Sequence, residues 1–534
     1  MATSLHTLLD KHWDILILGS GAAALTTALS ALTSTSPPPS VLLIDKAPAE
    51  WAGGNGYFTA AAYRTAHPGL SGLLPLVSNV PTDLEDKIDL APYTEDDFLG
   101  DLERVTGGRS DEKLGKAVVG ASWETVKWLK EVGKVDWQLS FRRQAYEVDG
   151  RFAFWGGLCL TVPEGGKGLV KGLRERVEQL GGVIMHGVAG RELRTDENGR
   201  VVGVEVEIVG DGKRGKVQAG SVVMCAGGFE ANRELRGEWM GEGWKAAHVR
   251  GTPHNTGDML IASRKLGAKL VGDFSGSGCH STAWDADSPA DGGDREKTNE
   301  FTKSGYPLGI MLNVKGARFV DEGVDLRNYT YAKFGRAILE QPEGVAWQIW
   351  DQQGVAYLRK EEYRDEIVRK AWADSIDELA AKLLKDGLLD STRLAQTVKD
   401  FNDCIEAFGK EKPDVKLNPS LRDGLSTQSS TRRLELAKSN WAIPIKQGPF
   451  LAVKVTSGIT FTFGGLSIDT EDAGVLREDS SKIEGLHCAG ETVGGLFYGN
   501  YPGGSGLTAG AVFGRRAGKV AAERATRMRD EKQK

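Results

Sequence analysis

Short segments at both ends of this 534-residue chain carry the residue types from which a nucleotide site is built. In GSGAAA, Gly19 allows a tight turn, Gly21 admits close approach of a pyrophosphate, and Ala24 stands at the helix–strand contact. Ser20, Ala22 and Ala23 lie between them, opening a helix whose free N–H groups suit phosphate. Asp45 closes the next apolar run, VLLIDK, where an acid binds ribose hydroxyls, and Lys46 follows it. The stretch WAGGNGYFTAAAYR comes next, and Gly53, Gly54, Asn55 and Gly56 would lay backbone against a flat ring. Near the far end, Gly490 and Glu491 follow an apolar run, and Gly504, Ser505, Gly506 and Leu507 open the last helix. A helix N-terminus there would stabilise negative charge on a reduced isoalloxazine ring. Together the two ends read as two halves of one flavin site.

The elements that must position these residues follow from apolar patterning. Residues 15–18, 41–44, 183–186, 201–208 and 216–224 read as strands, the last two bracketing the turn GDGKRG. Residues 22–32 and 168–181 read as helices, and 94–133 turns helical, with Ala117, Val118, Trp123, Val126, Trp128 and Leu129 facing the core. VVMCAGG brings a buried strand into Ala226 and Gly227, and NTGD places Thr256, Gly257 and Asp258 on the cofactor side with Val188. Between about 271 and 455 the chain is richer in charge and Trp, with helices over 375–386 and 391–408. The expected division is a first part of the nucleotide-binding domain over 1–270, an inserted domain over 271–456, and a return over 457–534.

The length requires more than one core, and 40% hydrophobic with 26% charged residues is ordinary for a globular enzyme. A net charge of −6 gives no case for nucleic-acid binding. Five scattered cysteines without a C-x-x-C pair argue against disulfides and metal ligation, so no metal is expected. No apolar run approaches the roughly 18 residues of a membrane span. The first residues are too polar for a signal peptide and the last three are no peroxisomal signal, so the cytoplasm is the expected location.

The ordered set GSGAAA, GGNGYFTAAAYR, CAGGFEAN, NTGDML, GARFVDEG and AGETVGG…GGSGL…FGRRAG resembles the fumarate reductase/succinate dehydrogenase flavoprotein superfamily over nearly the whole chain. Within it, GCHSTAWDAD, RFVDEGVDLRNYTYAKFG, TFTFGG and FYGNYPGGSGL are most similar to the FAD-dependent tricarballylate dehydrogenase group. The resemblance implies an α/β fold, a Rossmann-like FAD-binding domain with an inserted α+β capping domain, and an active site between the two. Covalently flavinylated members carry His before the paired glycines. Ala52 stands there, which implies noncovalent FAD.

The same resemblance assigns roles. Arg327 matches the acid/base arginine of the fumarate reductases, a role that requires nearby acids, with Asp321, Glu322 and Asp325 as candidates. His280 matches their first substrate-binding histidine. Two departures argue against fumarate or succinate: Phe461 replaces a histidine and Tyr501 an arginine. Phe461, Phe463, Tyr498 and Tyr501 would line a larger, partly apolar pocket, with Thr462 and Gly503 beside them. Arg64 and His67 are candidate compensating cations, and His254 is another; Arg432 and Arg433 are left unassigned. The expected enzyme dehydrogenates tricarballylate or a related small organic acid, with Arg327, His280 and Tyr501 catalytic and a separate electron acceptor. Open alternatives are an enoate reductase, a ketone desaturase using a tyrosine, and a non-redox isomerase or assembly subunit.

Overall fold

The apolar run ahead of GSGAAA forms the strand His12–Leu18, sandwiched between two parallel neighbours, with Leu16 opposite Leu42 and Val222. This computed structural model describes residues 11–292 and 294–533; the stretch judged for a signal peptide falls mostly outside them, as does Lys534 of the C-terminal tripeptide. The main sheet runs in the order Val188–Thr195, Val201–Ile208, Arg214–Met224, His12–Leu18, Val41–Asp45, Val183–His186. Lys482–Cys488 adds in parallel beside Val222–Met224, bringing the C-terminal segment to the first strand's neighbour. Parallel strands buried on both faces explain why these runs are continuously apolar rather than alternating.

The chain's two ends are joined by glycine. Helix Ala22–Ser34 packs on the last helix, Ser505–Gln533, where Gly510, Gly514 and Gly518 recur at every fourth residue. A Cβ on Gly518 would come within 2.2 Å of the Thr27 carbonyl oxygen. Across the same seam, the Ser30 hydroxyl donates to the Arg515 carbonyl at 2.6 Å.

A second sheet is built on one long strand, Phe450–Thr462. Its first half pairs antiparallel with Ala346–Trp350 and Lys370–Ala373, its second half with Cys279–Asp285. Phe450 and Ala452 face a core shared with helices Ile376–Leu384 and Ser391–Glu411. Leu451, Val453 and Val455 face another, shared with Phe334 and Ile338 of helix Tyr331–Leu339, as the two-residue period of a strand requires. The strand thus runs from the second sheet's interior to Thr462 at the nucleotide side, through the proposed boundary at 456. The helical stretch 94–133 is two helices, Glu95–Thr106 and Glu112–Glu131. In the second, Val118, Val126 and Leu129 are buried, whereas Ala117, Trp123 and Trp128 are half-buried. Lys127 and Arg515 lie over the two tryptophan rings. Among the described residues, no helix is long and apolar enough to cross a membrane.

Candidate cofactor and active site

Three glycine turns meet at the N-terminus of helix Ala22–Ser34. Gly19 has a φ of +111°, and a Cβ there would sit 2.3 Å from the Cys225 carbonyl oxygen, so only glycine allows the turn. The helix starts after Gly21 without a side-chain cap, leaving its first N–H groups free for a ligand. Asp45 accepts from the Ser20 amide at 2.9 Å and its hydroxyl at 2.6 Å, so it braces the turn as well as facing the cavity. The Gly53 amide donates to the same Ser20 hydroxyl at 3.2 Å, fixing the second glycine loop to the first. Lys46 is bonded to Thr256 and pairs with Asp258 at 2.8 Å, tying the second strand to helix Asp258–Arg264.

Asn55 ties three segments together in this half. Its amide nitrogen donates at 2.6 Å both to Glu230 and to the Thr460 carbonyl, and its oxygen accepts from the Thr252 amide at 3.1 Å. Glu230, fully buried, also accepts from Asn255 at 2.7 Å. Glu491 accepts from the Thr462 amide at 2.8 Å. Burial drives both carboxyl groups up, Glu491 far above the ordinary carboxylate range, with the neighbouring Glu230 acting in the same direction on Glu491. Two acids that close cannot both ionise, so the pair holds a proton at neutral pH.

One continuous cavity joins these residues to the second sheet. On the nucleotide side its wall holds Gly19, Ser20, Gly21, Ala22, Ala23, Asp45, Lys46, Gly54, Asn55, Gly56, Val188, Ala226, Gly227, Gly257 and Asp258. The C-terminal segment adds Gly490, Glu491, Gly504, Gly506 and Leu507. Gly53, Thr256 and Ser505 stand one layer behind: Gly53 packs on Val170, Thr256 on Lys46, and the Ser505 hydroxyl donates to the Pro502 carbonyl. The uncapped helix and the glycine cradle fit a dinucleotide such as FAD.

The other end of the cavity is aromatic and cationic. His280 stacks on Phe461 at 5.5 Å and meets Tyr331 and Tyr501 edge-on at 4.8 and 5.5 Å. A register shift between His280 and Ser281 interrupts the pairing with the long strand at this point. Burial holds the imidazole well below its usual pKa, so it is neutral, and neither ring nitrogen has a partner among the described residues. The Tyr331 and Tyr501 hydroxyls are bonded to each other, and burial pushes the Tyr501 phenol well up. Phe463 and Phe497 complete the box.

Arg327 lines the cavity and donates to the Arg143 carbonyl at 2.6 Å. Burial lowers its pKa, with neighbouring Arg359 acting in the same direction. The acids expected to serve it are engaged elsewhere. Asp325 bonds Arg104, Glu322 bonds Arg318, and Asp321 bonds Ser439. The acid that shares the cavity wall with Arg327 and acts on it electrostatically is Glu362, from a segment the sequence gave no reason to single out.

Four substrate candidates lie off the cavity wall. Arg64 is fully buried behind the C-terminal loop, donating to the Gly503 carbonyl at 2.9 Å and to Tyr93 and Tyr329, with Asp101 as counter-ion. Its charge is met by Asp101, although its Nη2 has no partner among the described residues. His67 accepts from the Gly69 amide at 3.2 Å, and burial lowers its pKa to about 4, so it is no cation at neutral pH. Tyr498 packs on Arg109 instead, and Gly503 ties the loop to the Asn328 carbonyl. His254 does line the cavity, next to Trp51, but burial also lowers its pKa. Arg432 pairs with Asp400 and Asp403, and Arg433 donates to the Ser429 carbonyl. Residues that sequence reasoning missed are Arg143, Arg250, Tyr331, Arg359 and Glu362, all on the wall. Only Tyr331 had a signal, its place in the motif with Arg327.

A family model described as FAD binding domain matches residues 14–507. The chain belongs to that FAD-binding family. FAD is therefore the cofactor whose cradle is described above, and the superfamily named from the motifs is the right one. Among curated relatives, NADH:acrylate oxidoreductase of Vibrio harveyi is 26% identical over 96% of this chain and 51% of its own length. The probable fumarate reductase Ifc3 of Shewanella frigidimarina is 27% identical over 96% and 75%. Urocanate reductase of Eggerthella lenta is 28% identical over 79% and 63%. The flavoprotein thus spans about half of the first of these relatives and under two thirds of the third. In fold it matches the open conformation of a flavocytochrome c3 fumarate reductase, with a TM-score of 0.70, 24% identity, and 98% and 80% coverage. A 3-ketosteroid delta1-dehydrogenase from Sterolibacterium denitrificans gives 0.70 at 21% identity, with 96% and 99% coverage.

Proposed function

We propose that this flavoprotein interconverts a carbon–carbon single and double bond beside a carboxylate, in the direction of dehydrogenation, with tricarballylate or a related polyacid as substrate. The observation that carries this reading is the set of cavity-wall guanidiniums, Arg143, Arg250, Arg327 and Arg359, of which Arg143 and Arg359 share one carboxylate, Glu362. Noncovalently held FAD supplies the hydride acceptor when bound. The chain's own residues do the rest. Arg327 holds or takes the proton lost from the carbon neighbouring the hydride donor, its neutral, proton-accepting form brought within reach by desolvation and Arg359, which both lower its pKa. His280, neutral and with both ring nitrogens unpaired, donates one hydrogen bond to the acid group. The aromatic box excludes water from the reacting bond.

A second reading is favoured by the bonded Tyr331 and Tyr501 hydroxyls, which could polarise a ketone for desaturation. Anaerobic mixing of the oxidised holoenzyme with tricarballylate, with related acids and with ketones separates the two. Bleaching of the flavin band by the acids supports the first reading, and bleaching by ketones alone replaces it with the second. Bleaching by neither removes both and leaves an enoate reductase, which would instead re-oxidise the reduced flavin with an unsaturated acid, or a non-redox role. The re-oxidant is proposed to be a separate acceptor. The five cysteines, all buried and unpaired, accord with a cytoplasmic location.

A further inference from the structure

We infer that Arg143 and Arg359 bind a second carboxylate of the substrate, apart from the one beside the reacting bond, so that the enzyme selects acids with at least two carboxylates. The inference takes from the proposed function only that the cavity's ligand is the substrate.

Three guanidiniums converge on one point of the wall. The Arg143 carbonyl accepts from Arg327 at 2.6 Å and from Arg359 at 2.7 Å, so groups from two distant segments hang on a single oxygen. The carboxylate among them is Glu362, fully buried, which accepts from Arg359 at 3.0 Å and lies 3.6 Å from Arg143. Its second oxygen is taken by the Ser304 amide at 3.0 Å and hydroxyl at 2.6 Å. Three positive charges therefore face one negative charge in a desolvated wall. The imbalance is felt on both sides. Glu362 is held down at about 2 despite its burial, chiefly through Arg359 and Arg143, and Arg143 is pushed down to about 10 by burial and by Arg359.

The other carboxyl groups on the wall do not offset this excess. Asp45 is bonded to Ser20 and lies at the nucleotide end, Asp258 is paired with Lys46, and burial beside Glu230 pushes Glu491 toward its neutral form. The FAD pyrophosphate belongs at the uncapped helix after Gly21, on the nucleotide side. An excess of buried charge is stable only with a counter-charge, and a ligand with two carboxylates supplies two. Cations are absent at Phe461 and Tyr501, where the resemblance placed them. The cluster at Arg143 and Arg359 provides them from different segments.

The test titrates the oxidised holoenzyme with mono-, di- and tricarboxylates of matched chain length, following the ligand-induced change in the flavin spectrum. Wild type is expected to prefer di- and tricarboxylates over monocarboxylates. R143Q and R359Q should each lose roughly 10- to 100-fold in affinity for the polyacids, the scale of a charge-assisted pair, with monocarboxylate affinity little changed. R143K and R359K should recover part of the loss, and FAD stoichiometry in each variant shows that the fold is kept. Indifference of wild type to carboxylate number overturns the inference. So does unchanged polyacid affinity in both Gln variants with full FAD. Polyacids that bind with this pattern yet never bleach the flavin would instead sink the proposed reaction and leave the second carboxylate site standing.

Discussion

The nucleotide side and the substrate side of this cavity are built on opposite principles. On the nucleotide side, backbone does the binding: glycine turns and an uncapped helix face inward, and the acids there are bonded to protein groups. On the substrate side, side chains do it, and the balance is left open, with three arginines to one glutamate and a histidine without a partner. A cofactor that stays can be met by a finished surface. A substrate that enters and leaves needs groups whose pairing is completed only when it arrives.

Several variants would break or sharpen that contrast. Gly19→Val should have the largest effect, because the new Cβ has no room against Cys225 and the positive φ excludes a β-branched residue. Loss of bound FAD and a drop in stability on the order of 3 kcal/mol or more are expected, read by flavin content and thermal melting. Arg64→Met tests whether that cation belongs to structure. Asp101 keeps its pair with Arg104, but the buried Gly503 carbonyl loses its side-chain donor and Tyr93 and Tyr329 lose a partner, so a loss of about 2 kcal/mol is expected in melting, with the KM of the surviving enzyme unchanged. A raised KM at full stability would return Arg64 to the substrate.

These two variants also mark what was legible. The turn at Gly19 and the acid at Asp45 are local features, a strand, a turn and a helix in sequence, so residues 12–45 could be read almost element by element. The strand Phe450–Thr462 could not, because burial on both faces erases the alternation that marks a strand. Arg64 and His67 were misplaced for a related reason. Their neighbours in sequence said "next to the glycine loop", but their fate is set by Asp101, Tyr329 and Gly69. Arg143 sits in FRRQ and Arg359 in LRKE, charged runs with no motif to single them out, and only tertiary structure turns them inward.

Smaller effects complete the contrast. His67 has a folded pKa near 4 against 6.5 for the free side chain, so the unfolded chain binds its proton first. It contributes nothing to pH dependence above about 6.5 and destabilises as pH falls from there toward 4. Between those values the melting temperature of wild type should fall a few degrees more than that of His67→Gln; parallel curves would show that the imidazole is not buried as described. Tyr501→Phe should cost less than about tenfold in turnover on an acid. A loss of several hundredfold would move the chemistry to the tyrosine pair and to a ketone.

The central claim is that Arg327 handles the proton while the flavin takes the hydride from a polyacid. It is tested most directly by the rate of anaerobic flavin bleaching on mixing with tricarballylate, in wild type and in Arg327→Ala. The expected result is bleaching in wild type and a rate lowered roughly 10²- to 10⁴-fold in the variant, with FAD retained. An undiminished rate in the variant, or no bleaching of wild type by any polyacid, would contradict it.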